Sequence, residues 1–138
     1  MKIRAYQPED EAAVIGLWEA CGLVRPWNDP RKDVARKLAV QPELFLVGTA
    51  EDELVASVMA GYDGHRGWIH YFAVAPRCRK QGYGRLLMRE DEHLLMERGC
   101  PKLNLQIRSS NSGVAEFYRR IGYAQDDVLG FGRRLIKD

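Results

Sequence analysis

The sequence predicts an α/β fold: a mixed, mostly antiparallel sheet of about six to seven strands with helices on both faces. Three observations carry this. Residues Leu44 to Val74 hold three apolar-rich runs separated by short polar turns, the pattern of consecutive hairpins. The last of these runs feeds a basic glycine loop, Arg79-Lys80-Gln81-Gly82-Tyr83-Gly84, which opens directly onto a long helical pattern and then another strand pattern. Elsewhere apolar residues recur at the i, i+3, i+4, i+7 spacing of one buried helix face, as at Val14, Leu17, Trp18 and Cys21.

In chain order, Lys2 to Tyr6 alternates polar and apolar and reads as a first strand. Pro8-Glu9-Asp10 opens a helix, with Asp10 as its N-cap, and Gly22 ends it. Arg25-Pro26-Trp27-Asn28-Asp29-Pro30 is a loop, and Asp29 before Pro30 starts a second, short and mostly polar helix with Val34 and Leu38 as its apolar contacts. Leu44 to Thr49, Leu54 to Tyr62 and Trp68 to Val74 form a meander around the turns Glu51-Asp52-Glu53 and Asp63-Gly64-His65-Arg66-Gly67. The helix from Arg85 to Arg98 carries Leu86, Leu87, Met88, Leu94 and Leu95, with Asp91 on the same stripe, where pairing with an arginine is expected. Gly99 and Pro101 stop that helix. Lys102 to Ile107 is a strand parallel to Trp68–Val74, joined to it by a right-handed crossover. Asn111 to Ile121 is a last helix, with Val114, Phe117, Tyr118 and Ile121 on one face. Val128 to Ile136 is read as a final strand closing the sheet.

The chain of 138 residues suits a single domain spanning 1–138. Hydrophobic residues at 46% and charged residues at 29% are ordinary for a globular protein, and a net charge of +2 gives no reason to expect a nucleic-acid partner. No apolar run approaches a membrane span, so no membrane partner is expected. The N-terminal Met1-Lys2-Ile3-Arg4 has no signal-peptide pattern, and a cytoplasmic location follows as the default. Cys21, Cys78 and Cys100 are scattered singly, which argues against both a disulfide framework and a zinc site; no metal is expected.

A helix that begins on a glycine loop aims free backbone N–H groups and the positive end of its dipole at one spot, a ready anion site. Three phosphate-binding readings compete for it. A P-loop needs Gly-Lys-Ser/Thr, which the chain lacks. A dinucleotide-binding loop needs a small residue three positions after Gly84, where Leu87 stands. The third is the pyrophosphate loop of acyl-coenzyme A transferases.

Arg79-x-x-Gly82-x-Gly84 behind the Phe72-Ala73-Val74 strand resembles the signature motif of the GNAT N-acetyltransferase superfamily. A second family signature runs from Asn111 through Phe117-Tyr118-Arg119-Arg120-Ile121-Gly122-Tyr123, and the order of elements matches over nearly the whole chain. Arg25–Pro30 and Gly61–Gly67 further resemble the bacterial YpeA-like subgroup. The resemblance implies a sheet whose central strands splay apart around acetyl-coenzyme A as acetyl donor and co-substrate. It implies that backbone groups of Phe72, Ala73 and Val74 pair with the pantetheine arm. The pyrophosphate would sit on the amides from Gln81 to Arg85 (Gln81, Gly82, Tyr83, Gly84, Arg85), with Arg79 and Lys80 beside it. Asn111 is either a coenzyme contact or an N-cap, and both roles can coexist. Trp27, Asn28 and Asp29 fall in the loop that lines the acceptor side in this family, with Tyr71 nearby; Trp27 covers substrate or folds back onto the core. The acceptor is an amine on a small molecule, a peptide N-terminus or a protein lysine, and a homodimer through edge strands stays open.

The implied reaction is direct attack of a free amine on the thioester in a ternary complex. Tyr118 matches the family's general acid, which returns a proton to the departing sulfur. For the base, His70, Asp63, His65 and Tyr71 all remain open. The demand on it depends on the acceptor: freeing an α-amine at neutral pH costs about 1.4 kcal/mol, a lysine amine about 4.6. A different class of function is a domain of the same fold that holds acyl-coenzyme A as a sensor or partner without turnover.

Overall fold

The structure, a computed structural model, describes residues 1–138. Five strands form one sheet in the order β1 (Lys2–Ala5), β2 (Phe45–Ala50), β3 (Glu53–Tyr62), β4 (Gly67–Val74) and β5 (Leu103–Leu105). The first four are antiparallel, and β5 lies parallel to β4. The helices are α1 (Glu11–Ala20), α2 (Pro30–Leu38), α3 (Tyr83–Glu97) and α4 (Ser112–Arg120).

The period-two alternation of the strands divides the core into two layers. One face of the sheet presents Phe45, Val47, Val55, Met59 and Ala73 to α1 and α2, through Val14, Ile15, Leu17, Trp18 and Val34. The other presents Leu46, Ala56, Val58 and Ile69 to α3 and α4, through Leu87, Met88 and Tyr118. Local signals set the helix starts. The Asp29 side chain accepts from Arg31 N at 2.9 Å and caps α2, with Pro30 at its first position. Asp10 precedes α1 as expected, but its carboxylate is turned back to Arg4 and to the Gln7 amide.

The expected count of six to seven strands is corrected to five. Val128–Ile136 is not a strand: residues 124–138 make no backbone–backbone hydrogen bond. The physical reason lies in its pattern. Adjacent apolar pairs, Val128-Leu129 and Leu135-Ile136, put large side chains on both faces, and Gly130 and Gly132 interrupt it, so no single face can be buried against the sheet. The parallel strand is also shorter than Lys102–Ile107. Only Leu103, Asn104 and Leu105 pair, with Gly67, Trp68 and Ile69, and β4 bulges at Tyr71 and Phe72, two residues beyond the last pair.

Asp91 is corrected too. It lies on the inner face of α3, fully buried, and both carboxylate oxygens are without a hydrogen-bond partner; no arginine meets it. Burial first, then the neighbouring Glu90 and Glu92, push its pKa up to about 8.

Candidate active site

Beyond Ile69 and Leu105 the two parallel strands have no further pairing, so the edge of β4 from His70 to Val74 is open toward β5. The opening coincides with a bulge. Ser57 pairs with Ala73 and Met59 with His70, so Tyr71 and Phe72 together oppose Val58. Tyr71 takes φ 51°, a left-handed conformation that a tyrosine holds only under constraint. The constraint is visible. Its ring stacks on Trp18 at 3.9 Å between centroids, and its hydroxyl donates to Asp33 Oδ2 at 2.6 Å. Its carbonyl accepts from Ser57 Oγ at 3.1 Å, and Ser57 in turn accepts from Trp18 Nε1 at 2.8 Å. Burial and Asp33 both raise the Tyr71 pKa.

The glycine loop closes the open end of the gap. Gly82, at φ 82°, precedes α3, and Lys80 is also left-handed at φ 65°. The amides from Lys80 to Arg85 donate to no backbone acceptor; the first bond of the helix is Leu86 N to Gly82 O. Unpaired N–H groups in such a turn suit an anion, and the dipole of a fifteen-residue helix adds to the attraction. The two glycines serve different ends. Gly82 has nothing within 4 Å of a built Cβ and is needed for its positive φ. A Cβ on Gly84 would lie 3.0 Å from Phe117 Cζ and 3.4 Å from Phe72 Cζ, so this glycine lets α3 press against α4 and β4. Lys80, Gln81 and Arg85 are exposed. Arg79 turns toward α1, its guanidinium 3.7 Å from Cys21 Sγ.

Tyr118 arrives from α4. Its ring is 5.9 Å from Phe72, 5.1 Å from Phe117 and 5.7 Å from Tyr123, in tilted and edge-on contacts that lock its direction. It is 5% exposed. Burial, with Asp91 second, raises its pKa above the ordinary phenol value, so the hydroxyl is a weaker acid than a free phenol and is protonated throughout the neutral range. Asn111 caps α4, accepting from Val114 N at 3.3 Å, which leaves its NH2 group free.

Phe72, Ala73 and Val74 lie on the unpaired edge of β4, with the Tyr118 ring 5.9 Å from that of Phe72 and Phe72 Cζ 3.4 Å from the Cβ position of Gly84 in the loop. His70 lies on β4 just beyond Ile69, exposed, yet crowded enough by neighbouring protein that its pKa is lowered, with Lys37 adding to the effect. The ring is thus neutral near pH 7 and able to accept a proton.

Asp63 does not join them. It sits in the β3–β4 turn, beyond the paired end of β4, where Oδ1 accepts from His65 N and Arg66 N at 2.8 Å each. Those bonds hold its carboxyl below the usual range and make it a turn former. His65 is exposed in the same turn.

The loop between α1 and α2 approaches the bulge, where Asn28 lies beside the Tyr71 hydroxyl. Trp27 is 52% exposed and lies under the Arg108 guanidinium, 5.6 Å from the ring centroid, so the ring does not fold into the core. Asn28 Oδ1 accepts from Arg134, and the Asp29 amide donates to Asp138 Oδ2 at 2.9 Å while Arg36 meets the same carboxylate. Arg108, Asp33, Arg134 and Asp138 were not legible as neighbours of the opening, since each reaches it from a remote segment without a local motif. No group of three or more His, Cys, Asp or Glu side chains is placed to hold a metal ion, and no helix is long and apolar enough to cross a membrane.

The acetyltransferase (GNAT) family matches residues 9–123. An acetyltransferase of Yersinia pestis (strain Pestoides F) is 47% identical over 138 residues, covering 100% of this chain and 98% of its own. The crystal structure of Ard1 from Thermoplasma volcanium aligns with a TM-score of 0.77 at 25% identity, over 89% of this chain and 82% of that one. AAC(6′)-Iy, solved with the bisubstrate analogue CoA-S-monomethyl-acetylneamine, shares the fold at a TM-score of 0.79 and 15% identity, over 98% of each chain.

Proposed function

The chain belongs to the GNAT acetyltransferase family, and on that premise we propose that it transfers an acetyl group from acetyl-coenzyme A to a primary amine by direct attack in a ternary complex. The observation that carries the reading is the neighbourhood of three things: the unpaired edge of β4, the free amides after Lys80 and the Tyr118 ring packed against Phe72. The finer placement in a YpeA-like subgroup rests on the Arg25–Pro30 and Gly61–Gly67 segments alone.

The residues fit the coenzyme. The free amides and the α3 dipole suit a pyrophosphate, with Lys80 and Arg85 exposed beside them to add charge. Alternate backbone groups of Phe72, Ala73 and Val74 can hydrogen-bond an extended amide arm as a strand would. Bound, acetyl-coenzyme A supplies an activated acyl thioester. The chain supplies the rest. A backbone N–H on the open edge of the β4 bulge, already fixed by Ser57 and Asp33, stabilises the oxyanion without reorganisation. Tyr118, whose hydroxyl holds its proton at neutral pH, protonates the departing sulfur. His70, neutral at physiological pH, receives the proton of the amine, directly or through water. Trp27, Asn28 and Asp29 line the acceptor side.

The test is to mix the protein with acetyl-coenzyme A and a panel of amines and follow free thiol. Thiol release with at least one amine is expected. Tyr118→Phe should lower turnover about 100-fold or more while leaving coenzyme affinity nearly intact. Coenzyme binding without thiol release from any amine would favour a binding module, and failure to bind the coenzyme would overturn both.

A further inference from the structure

Between α3 and the end of α4 lies a cavity of about 340 Å³, at the lower end of the range of small-molecule sites. Three arginines line it, Arg85 and Arg89 from α3 and Arg120 from α4, together with Met88, Glu92 and Ile121. None of the three arginines forms an ion pair. Glu92, the only carboxylate in the lining, accepts from the Tyr123 hydroxyl at 2.7 Å. Three guanidinium groups against one carboxylate leave an excess of two positive charges around one space.

Two of these charges work against the helix that carries them. Arg85 stands in the first turn of α3, which holds no acidic residue, so its charge opposes the positive end of the dipole. Arg89 follows four positions on, where like charges on a helix repel. Arg120 alone has a local reason, since a base in the last turn of α4 suits that dipole. A phosphate dianion answers all three: it neutralises the excess charge, and guanidinium forks match its oxygens two at a time. We propose that this cavity is a second phosphate site, which takes a phosphate monoester on the side chains of Arg85, Arg89 and Arg120, apart from the anion site on the loop amides.

That phosphate has two possible sources. Arg85 belongs to both sites, its amide to the loop and its side chain to the cavity. Coenzyme A carries a phosphate monoester on its ribose besides its pyrophosphate, so one ligand can span both. The shared residue favours this source, which rests on the acetyl-transfer reading. A separate phosphorylated small molecule is the other source; it needs no coenzyme and makes the cavity a site for a second ligand.

The experiment is calorimetric titration at fixed ionic strength with three probes. They are coenzyme A, dephospho-coenzyme A, which lacks the ribose phosphate, and inorganic phosphate added to protein saturated with dephospho-coenzyme A. The wild type is compared with a double variant, Arg89→Gln with Arg120→Gln; both side chains are exposed, and its circular dichroism should be unchanged. The wild type should bind coenzyme A about tenfold or more tighter than dephospho-coenzyme A, and that ratio should fall toward one in the variant. Affinity for dephospho-coenzyme A should be the same in both proteins. A ratio near one in the wild type, with inorganic phosphate bound by the loaded wild type and not by the variant, keeps the site and gives it a separate ligand. If neither coenzyme binds, the acetyl-transfer reading fails by itself, and inorganic phosphate titrated into the free proteins tests the cavity: binding about tenfold weaker in the variant supports it. A variant that keeps every wild-type affinity, or that loses both coenzymes equally, overturns the proposal.

Discussion

The Ser57 hydroxyl donates to the Tyr71 carbonyl at 3.1 Å while accepting from Trp18 Nε1, so a buried serine on β3 fixes the bulge that opens β4. Ser57 is fully buried and is one of two polar residues in the core. Its replacement by alanine leaves an indole N–H and a peptide carbonyl unpaired. Ser57→Ala should cost about 1–3 kcal/mol in urea unfolding and reduce turnover more than coenzyme affinity, because the oxyanion N–H lies on the released strand. Unchanged stability would mean that water replaces the hydroxyl.

Gly84 and Gly82 should fail differently. Gly84→Ala drives a methyl group to 3.0 Å from Phe117, and about 1–3 kcal/mol of overpacking is expected. Phe117→Leu in the same chain should restore most of it. Gly82→Ala meets no atom and should cost only about 1 kcal/mol through its positive φ, with no rescue by Phe117→Leu. Thermal unfolding of the two single and two double variants decides the matter.

His70 predicts the acid limb of the pH profile. Its pKa lies below the ordinary 6.5, so the proton-accepting form dominates at neutral pH and is lost as pH falls through the lowered value. The wild-type kcat/KM should decline on acidification below that point. In His70→Gln the decline should vanish and the plateau should be lower.

Asp91 predicts a stability effect of opposite sense to that of a paired carboxylate. In the unfolded chain it ionises near 3.8, whereas in the folded state it keeps its proton up to about 8. The folded state therefore binds the extra proton between those values, and stability falls as pH rises through the window. Lys37 opposes the shift weakly, and Glu90 and Glu92 reinforce it. Asp91→Asn should flatten the decline and be the more stable protein at its alkaline end, by a few kcal/mol. Urea midpoints at the two ends of the window test this; parallel pH dependence of wild type and variant would exclude it.

Much of this protein was written locally. The Asp29-Pro30 helix start, the three hairpin-linked strands, the glycine loop, the Asn111 cap and the Tyr118 stripe each depend on residues a few positions apart, where capping, periodicity and turn chemistry act. What only the tertiary structure decided depends on contacts between distant segments. The bulge at Tyr71 is set by Trp18, Asp33 and Ser57, 14 to 53 residues away, and none is a bulge signal in β4 itself. Gly84 sits tight against Phe117, a contact between α3 and α4 that no local pattern announces. The last segment reads as a strand, but a strand needs an edge to pair with, and the fold leaves its own chain none long enough.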